Sequence, residues 1–216
     1  MDLNHSVYKL KDFYRKLTVP QFTIVTGLIV IFLGTLVLST PFCSSQNVGL
    51  WEAFFTSTSA ITVTGLTVID IGSDLTIFGQ IILAFMLLSG GLGLMAITTF
   101  LQGFVVKGAK LRTRLDKGKT LDEFGVGGIG RTFQSIAITA ASIISLGAFI
   151  LYFFGFININ NPWERLWVSI FHSISAYNNA GFSIWNTSIY EYRTNFVVNF
   201  VFIILIVLGG LGVESD

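Results

Sequence analysis

The chain has 216 residues and a formal net charge of +1, and only 12% of it is charged, about half the roughly 25% usual in soluble globular domains. With 52% hydrophobic residues and a mean hydropathy of +0.73, this composition excludes intrinsic disorder and points to an all-α integral membrane protein. The near-zero net charge counts against nucleic-acid binding by bulk electrostatics, and the single cysteine, Cys43, allows neither an internal disulfide nor a cysteine-based metal cluster.

Charge-free stretches cover residues 17–51, 75–106, 132–163, 166–190 and 194–213. Residues 1–19 are polar, carry Lys9, Lys11, Arg15 and Lys16, and do not form a signal peptide. A first span is expected near 20–40, because a helix crossing the hydrocarbon core needs about 20 apolar residues. The apolar segment 51–61 is too short to span and opens with Trp51. A second span is expected near 76–101. A basic loop, 105–131, then holds Lys107, Lys110, Arg112, Arg114, Lys117, Lys119 and Arg131. Its GVGGIGR end follows a charged loop and not a strand, which argues against a phosphate loop. A third span near 132–155, a short apolar segment 163–176 with Trp163 and Trp167, and a fourth span near 194–213 complete the pattern. Only 214–216 remain beyond it. Segment 41–74 has no Lys or Arg and segment 156–193 has only Arg165 and Arg193. The positive-inside rule therefore puts the N-terminus, the basic loop and the C-terminus in the cytoplasm. Both short segments are candidates for re-entrant helices dipping in from outside. Interfacial helices lying flat are the alternative.

The chain repeats itself. WEAFFTSTSAITVTGLTV (51–68) matches WVSIFHSISAYNNAGFSI (167–184): Trp51 meets Trp167, Phe55 meets Phe171, Ser57, Ser59 and Ala60 meet Ser173, Ser175 and Ala176, and Gly65 meets Gly181. GGLG at 90–93 recurs at 209–212. The repeats are 20–104 and 132–213, each a helix, a pore loop and a helix. Two crossings return the chain to its starting side, so the repeats are parallel, about an axis normal to the membrane.

Irregular backbone at membrane depth survives only where protein or a watery cavity satisfies it. The loops TVTGL (62–66) and NNAGF (178–182) carry no charge. Gly65 and Gly181 permit backbone conformations closed to other residues, which lets carbonyl oxygens line up on one side. A ring of such oxygens can replace the hydration shell of an alkali cation, and the C-terminal end of the preceding short helix adds a field of the right sign. The GGLG groups read either as packing surfaces between helices or as hinges.

The segments TSTSAITVTGLTVID (56–70) and HSISAYNNAGFSIWNTS (172–188) resemble the first two pore-loop segments of the Trk/Ktr/HKT potassium transporter superfamily, most closely its KtrB-type membrane subunit. The resemblance implies four helix–loop–helix units around one pore that passes K⁺, in some members with Na⁺ dependence. It implies that Thr62, Val63, Thr64 and Gly65 line one filter segment and Asn178, Asn179, Ala180 and Gly181 the other. Glycine at 65, and not serine, resembles the K⁺-type pattern. A cytosolic nucleotide-binding KtrA-type partner is likewise implied. Two of the four units are not in this sequence, so it looks like the N-terminal half, truncated or split. The remaining two repeats, or further copies, are expected to complete the pore. The alternative function is a non-conducting membrane protein that acts only in transporter assembly or regulation.

Other residues carry smaller expectations. His172 reads as a hydrogen-bonded structural residue and His5 as solvated. Two distant histidines and one cysteine give no catalytic or side-chain metal constellation. Asp70 and Asp74 either raise cation concentration at the outer mouth, or Asp74 caps a helix starting near Leu75. Pro162 suits a first helical turn, with Glu164 at its positive end. Phe149, Phe153, Phe154 and Phe156 read as lipid contact or packing. The basic loop is a topology signal that also suits anionic lipid or a cytosolic partner.

Overall fold

The computed structural model describes residues 19–46, 48–91 and 126–212. The N-terminal segment, most of the basic loop, the last part of the expected second span with Leu92 and Gly93 of the first GGLG, and residues 213–216 lie outside the described residues. Seven α-helices are described: α1 (Val19–Leu38), α2 (Leu50–Ile61), the single turn α3 (Ile71–Asp74), α4 (Ile77–Gly91), α5 (Val126–Ile150), α6 (Pro162–Tyr177) and α7 (Phe196–Gly212). A π-helical turn, Leu151–Gly155, continues α5, and a 3-10 turn covers Tyr190–Tyr192. Among the described residues there is no β-strand, only an isolated bridge between Ser44 and Leu75.

Local chemistry sets the helix boundaries. Asn161 Oδ1 accepts from the Trp163 N–H at 3.0 Å, and Pro162 fills the first turn, so α6 starts as its sequence reads. The Glu52 carboxylate accepts the Gly49 N–H ahead of α2. α1 stops at Leu38 because Ser39 and Thr40 turn their hydroxyls onto Leu36 O and Val37 O. Asp74 does not cap a helix near Leu75. Its carboxylate accepts from the Asp70 N–H at 2.9 Å, while Asp70 caps α3 through the Gly72 N–H at 3.0 Å. The cap of α4 is Thr76, whose Oγ1 accepts from the Gly79 N–H. α5 starts at Val126, six residues before the expected span, so the Gly-rich run is helical.

The duplication holds residue by residue. Thr76 caps α4 and donates to Phe42 O at 2.8 Å. Asn195 caps α7 through Val198 N–H and donates to Gly155 O at 3.2 Å. Gly34 on α1 lies against Ser57 and Met86, and Gly147 on α5 lies against Ser173 and Leu205. In each unit a short polar helix, α2 or α6, is held between two long apolar ones. The buried polar residues Thr56, Ser57 and Ser59 of α2, and Ser169, His172, Ser173 and Ser175 of α6, lie inside this packing.

Apolar residues also line the outside. Ile24, Leu28, Phe32 and Leu36 form an exposed stripe on α1, and Phe196, Phe200, Ile203, Val207 and Leu211 one on α7. Helical stripes this large and unbroken mark a surface made for a non-aqueous neighbour. Among the described residues one helix, Gln134–Gly155 with 22 residues, is long and apolar enough to cross a membrane, and Thr23–Leu38, Ile77–Gly91 and Phe196–Leu211 are shorter apolar helices. The four phenylalanines of α5 and its end divide: Phe149, Phe153 and Phe154 are exposed, whereas Phe156 is fully buried.

Candidate functional site

Both short helices end in the same way. Beyond α2, Thr62 is the cap, Val63 takes a left-handed φ of 54°, and Gly65 a φ of 81°. Beyond α6, Asn178 is the cap, Asn179 has φ 55° and Gly181 φ 71°. Val63 N–H donates to Ala60 O and Thr64 N–H to Ser59 O at 2.9 Å; Asn179 N–H donates to Ala176 O and Ala180 N–H to Ser175 O at 2.9 Å. This is the Schellman ending, in which two N–H groups fold back onto the last helical carbonyls. It satisfies the carbonyls of Ser59, Ala60, Ser175 and Ala176. Among the described residues no donor reaches the carbonyl oxygens of 62–65 or 178–181. They remain the chemically available acceptors of the two loops.

The loops adjoin one another. A Cβ built on Gly65 would fall 2.1 Å from Ala180 O and 3.4 Å from Gly181 Cα. Backbone meets backbone here, and the positive φ excludes a side chain at Gly65 independently. The eight expected residues are thus brought together as two adjacent turns. Thr62 Oγ1 donates to Thr58 O at 2.8 Å, so the 2.7 Å contact with Thr64 Oγ1 has Thr64 as donor.

Several positioning residues were not singled out as site residues in the sequence. Ser59 Oγ accepts from the Leu66 N–H at 2.9 Å, and its counterpart Ser175 Oγ donates to Phe182 O at 2.7 Å. Each pins the outgoing limb of its loop to its own short helix. The identity of these serines in the two repeats was the available signal. The first glycine of each GGLG group packs on the end of the short helix before it: Gly90 lies against Ile61 O and Gly209 against Tyr177 O, and both would overlap those carbonyls with any Cβ. Gly91 lies against the Asn178 carboxamide. The loops are therefore backed by the helices that follow them.

His172 is buried, with Nδ1 2.8 Å from Val168 O and Nε2 3.0 Å from Ser183 Oγ. A carbonyl only accepts, so Nδ1 carries a proton and faces it. His172 stacks on Trp185 at 4.4 Å, Trp185 stacks on Tyr192, and Phe156 meets both edge-on. Burial, followed by the Glu191 carboxylate, raises the Tyr192 phenol above its ordinary value. This cluster packs Trp185 and Tyr192 of the second unit's loop against Phe156 and His172, and His172 is a hydrogen-bonded structural residue, as its sequence context suggests.

The fold thus presents two like helix–loop–helix units with exposed apolar stripes and two adjoining uncharged loops, and the family comparison places it among cation transport proteins. The chain belongs to the TrkH family, described as cation transport protein, which matches residues 9–213. It is 32% identical over 200 residues to Ktr system potassium uptake protein B of Bacillus subtilis, covering 91% of this chain and 44% of that protein. It is 30% identical to Ktr system potassium uptake protein B of Vibrio alginolyticus over 89% of this chain and 42% of that one. It is 31% identical to the potassium/sodium uptake protein NtpJ of Enterococcus hirae over 94% of this chain and 46% of that one. The chain thus spans less than half the length of these relatives. All three are named as uptake proteins, and two as parts of a Ktr system.

Proposed function

We propose that this chain is a partial KtrB-like subunit for K⁺ transport across the cell membrane. α2 and α6 are re-entrant, dipping in from outside, and the N-terminus is cytoplasmic. The carbonyls of Thr62, Val63, Thr64, Gly65, Asn178, Asn179, Ala180 and Gly181 coordinate the passing ion. A bare alkali cation in a medium of low dielectric faces a cost on the order of tens of kcal/mol, which unpaired carbonyl oxygens offset. The observation that carries this reading is the close approach of Gly65 to Ala180 O, between two turns of the same backbone twist.

K⁺ and not a divalent ion is the cargo, since the loops hold no carboxylate. Na⁺ dependence is part of the proposal, as are a cytosolic nucleotide-binding partner and two further helix–loop–helix units that complete the pore. The test is K⁺ uptake in a K⁺-uptake-deficient host carrying the full-length gene, with Gly65→Ser and Gly181→Ser variants. Loss of uptake or a shift toward Na⁺ is expected. Unchanged uptake and ion preference in both variants would overturn the filter assignment.

A further inference from the structure

Two adjacent glycines of α4 reach the bases of both loops. Gly90 lies on Ala60 O and Ile61 O, at the end of its own unit's short helix, and Gly91 lies on the Asn178 carboxamide of the other unit. A Cβ on Gly91 would overlap the Oδ1, Cγ and Cβ atoms of Asn178. One helix thus seats both turns, and the two seats are a single residue of helical rise apart, about 1.5 Å.

Asn178 suits this seat. It caps α6 with the backbone that Thr62 has at the end of α2, φ −80° and ψ 3° against φ −84° and ψ 1°. Its N–H and its Nδ2 both donate to Ile174 O, at 3.1 and 2.7 Å. Thr62 makes the same two bonds to Thr58 O, at 2.9 and 2.8 Å. What Asn178 adds is Oδ1. That oxygen is buried in a residue 5% exposed, and no donor among the described residues reaches it. Buried acceptors are rarely left unpaired, and a threonine would cap the helix without one. Against Gly91 the carboxamide acts by its shape, as a spacer, and not as a hydrogen-bonding partner.

We propose that the Gly91–Asn178 contact sets the ion preference of the second loop. The carboxamide seated on Gly91 fixes where the Asn178 carbonyl and the three after it stand relative to the first loop. Gly91 is then a positioning residue, outside both loops and on the opposite unit, that acts through Asn178. The inference rests on the reading of 62–65 and 178–181 as the ion-coordinating loops. Discrimination among alkali cations by carbonyl oxygens depends on the size of the cavity and on how freely the oxygens move, and both follow the seat of Asn178.

The test uses the full-length gene in a K⁺-uptake-deficient host. Uptake rate is measured against K⁺ concentration, with and without competing Na⁺, at matched amounts of protein in the membrane. Gly91→Ala is expected to raise the KM for K⁺ about tenfold, inside the loss that a misplacement of about 1 Å causes, and to weaken discrimination against Na⁺. Asn178→Thr keeps the bond to Ile174 O, removes the spacer and is expected to shift KM and preference as well. The double variant refills the space at nearly constant volume. It is expected to return KM to within about threefold of the unaltered protein, a strong departure from additivity. Gly34→Ala, which crowds the Met86 side chain in unit one, reads packing damage alone; it is expected to lower the maximal rate or the protein level and to keep KM and preference. Unaltered KM and preference in Gly91→Ala overturn the proposal. So does a double variant no better than the worse single one, or an equal shift of KM in Gly34→Ala. If Gly91→Ala does not reach the membrane, Asn178→Thr carries the test, and unaltered KM and preference there overturn the proposal equally. A changed preference in Gly65→Ser and Gly181→Ser with none in these variants removes this inference and leaves the filter assignment standing; no K⁺ uptake from the unaltered gene removes both.

Discussion

Gly65 and the carbonyl oxygen of Ala180 occupy neighbouring space although their loops belong to different repeats: a Cβ on Gly65 would sit 2.1 Å from that oxygen. The relationship is not reciprocal. A Cβ on Gly181 would meet only Gly65 Cα, at 3.8 Å.

The two glycines therefore differ in their tolerance of alanine. Both positions have positive φ, which costs a non-glycine residue about 1–2 kcal/mol. Gly65→Ala adds an overlap with backbone that cannot rotate away, in the range of about 1–3 kcal/mol for overpacking. Gly65→Ala is expected to lower the thermal unfolding midpoint clearly more than Gly181→Ala. Equal shifts would show that the two loops do not touch as described.

Val63 is the strained residue of the pair of turns. A β-branched side chain at φ 54° is an outlier, whereas asparagine tolerates this region, and Asn179 holds the matching position at φ 55°. Val63→Asn is expected to raise stability by about 1 kcal/mol, the low end of the roughly 1–3 kcal/mol such strain costs, because Val63 also packs against the core. Differential scanning of the purified variant in detergent reads the change. A lower midpoint would mean that Val63 packing outweighs its backbone cost.

How far the sequence carried depends on which physical signal each feature leaves. Charge gaps located α1, the start of α4 and α7 to within two residues, because the outer faces of this protein are apolar as well as its core; the end expected for the second span, 92–101, lies outside the described residues. The pairing of Trp51 with Trp167 and Gly65 with Gly181 located both loops. The left-handed turn at Val63 left no signal, since valine is a residue that normally argues against it. The run 126–130 was assigned to the basic loop because the charge-free stretch begins only after Arg131, yet it starts α5. Asp74 looked like a cap from its position before an apolar run. The actual cap, Thr76, is distinguished only by the fold of the preceding turn. Gln80 was visible as a polar residue in an apolar helix, but its partner Trp167 lies 87 residues away and only the docking of the two units brings them together.

The two loop-pinning serines are unequal. Ser175 donates to the carbonyl of Phe182, which is 3% exposed, while Ser59 accepts from the N–H of Leu66, which is 60% exposed. Removing the hydroxyl leaves a buried acceptor in one case and a solvent-reachable donor in the other. Ser175→Ala is expected to cost about 1–3 kcal/mol, the penalty for an unsatisfied buried group, and Ser59→Ala about 1 kcal/mol or less. Parallel thermal unfolding of the two variants decides. A larger loss in Ser59→Ala would contradict the burial of the second loop.

Gln80 is the strongest single link between the units, because one carboxamide satisfies two carbonyls of its own loop and the indole N–H of Trp167. It is 4% exposed, so water does not replace what is lost. Gln80→Leu keeps the size of the side chain while leaving Ile71 O, Leu75 O and Trp167 Nε1 without their partner. The expected loss is about 2–4 kcal/mol, somewhat above one unsatisfied buried group, with a shift in tryptophan fluorescence as the Trp167 indole loses its acceptor. Trp167→Phe removes the same hydrogen bond from the other side. Combining the two in a double-mutant cycle is expected to give a coupling energy of about 0.5–3 kcal/mol, as for residues in contact. Additive losses would mean that Gln80 acts only within its own loop and that the joint between the units is held by the close contacts at Gly65, Gly72 and Gly91.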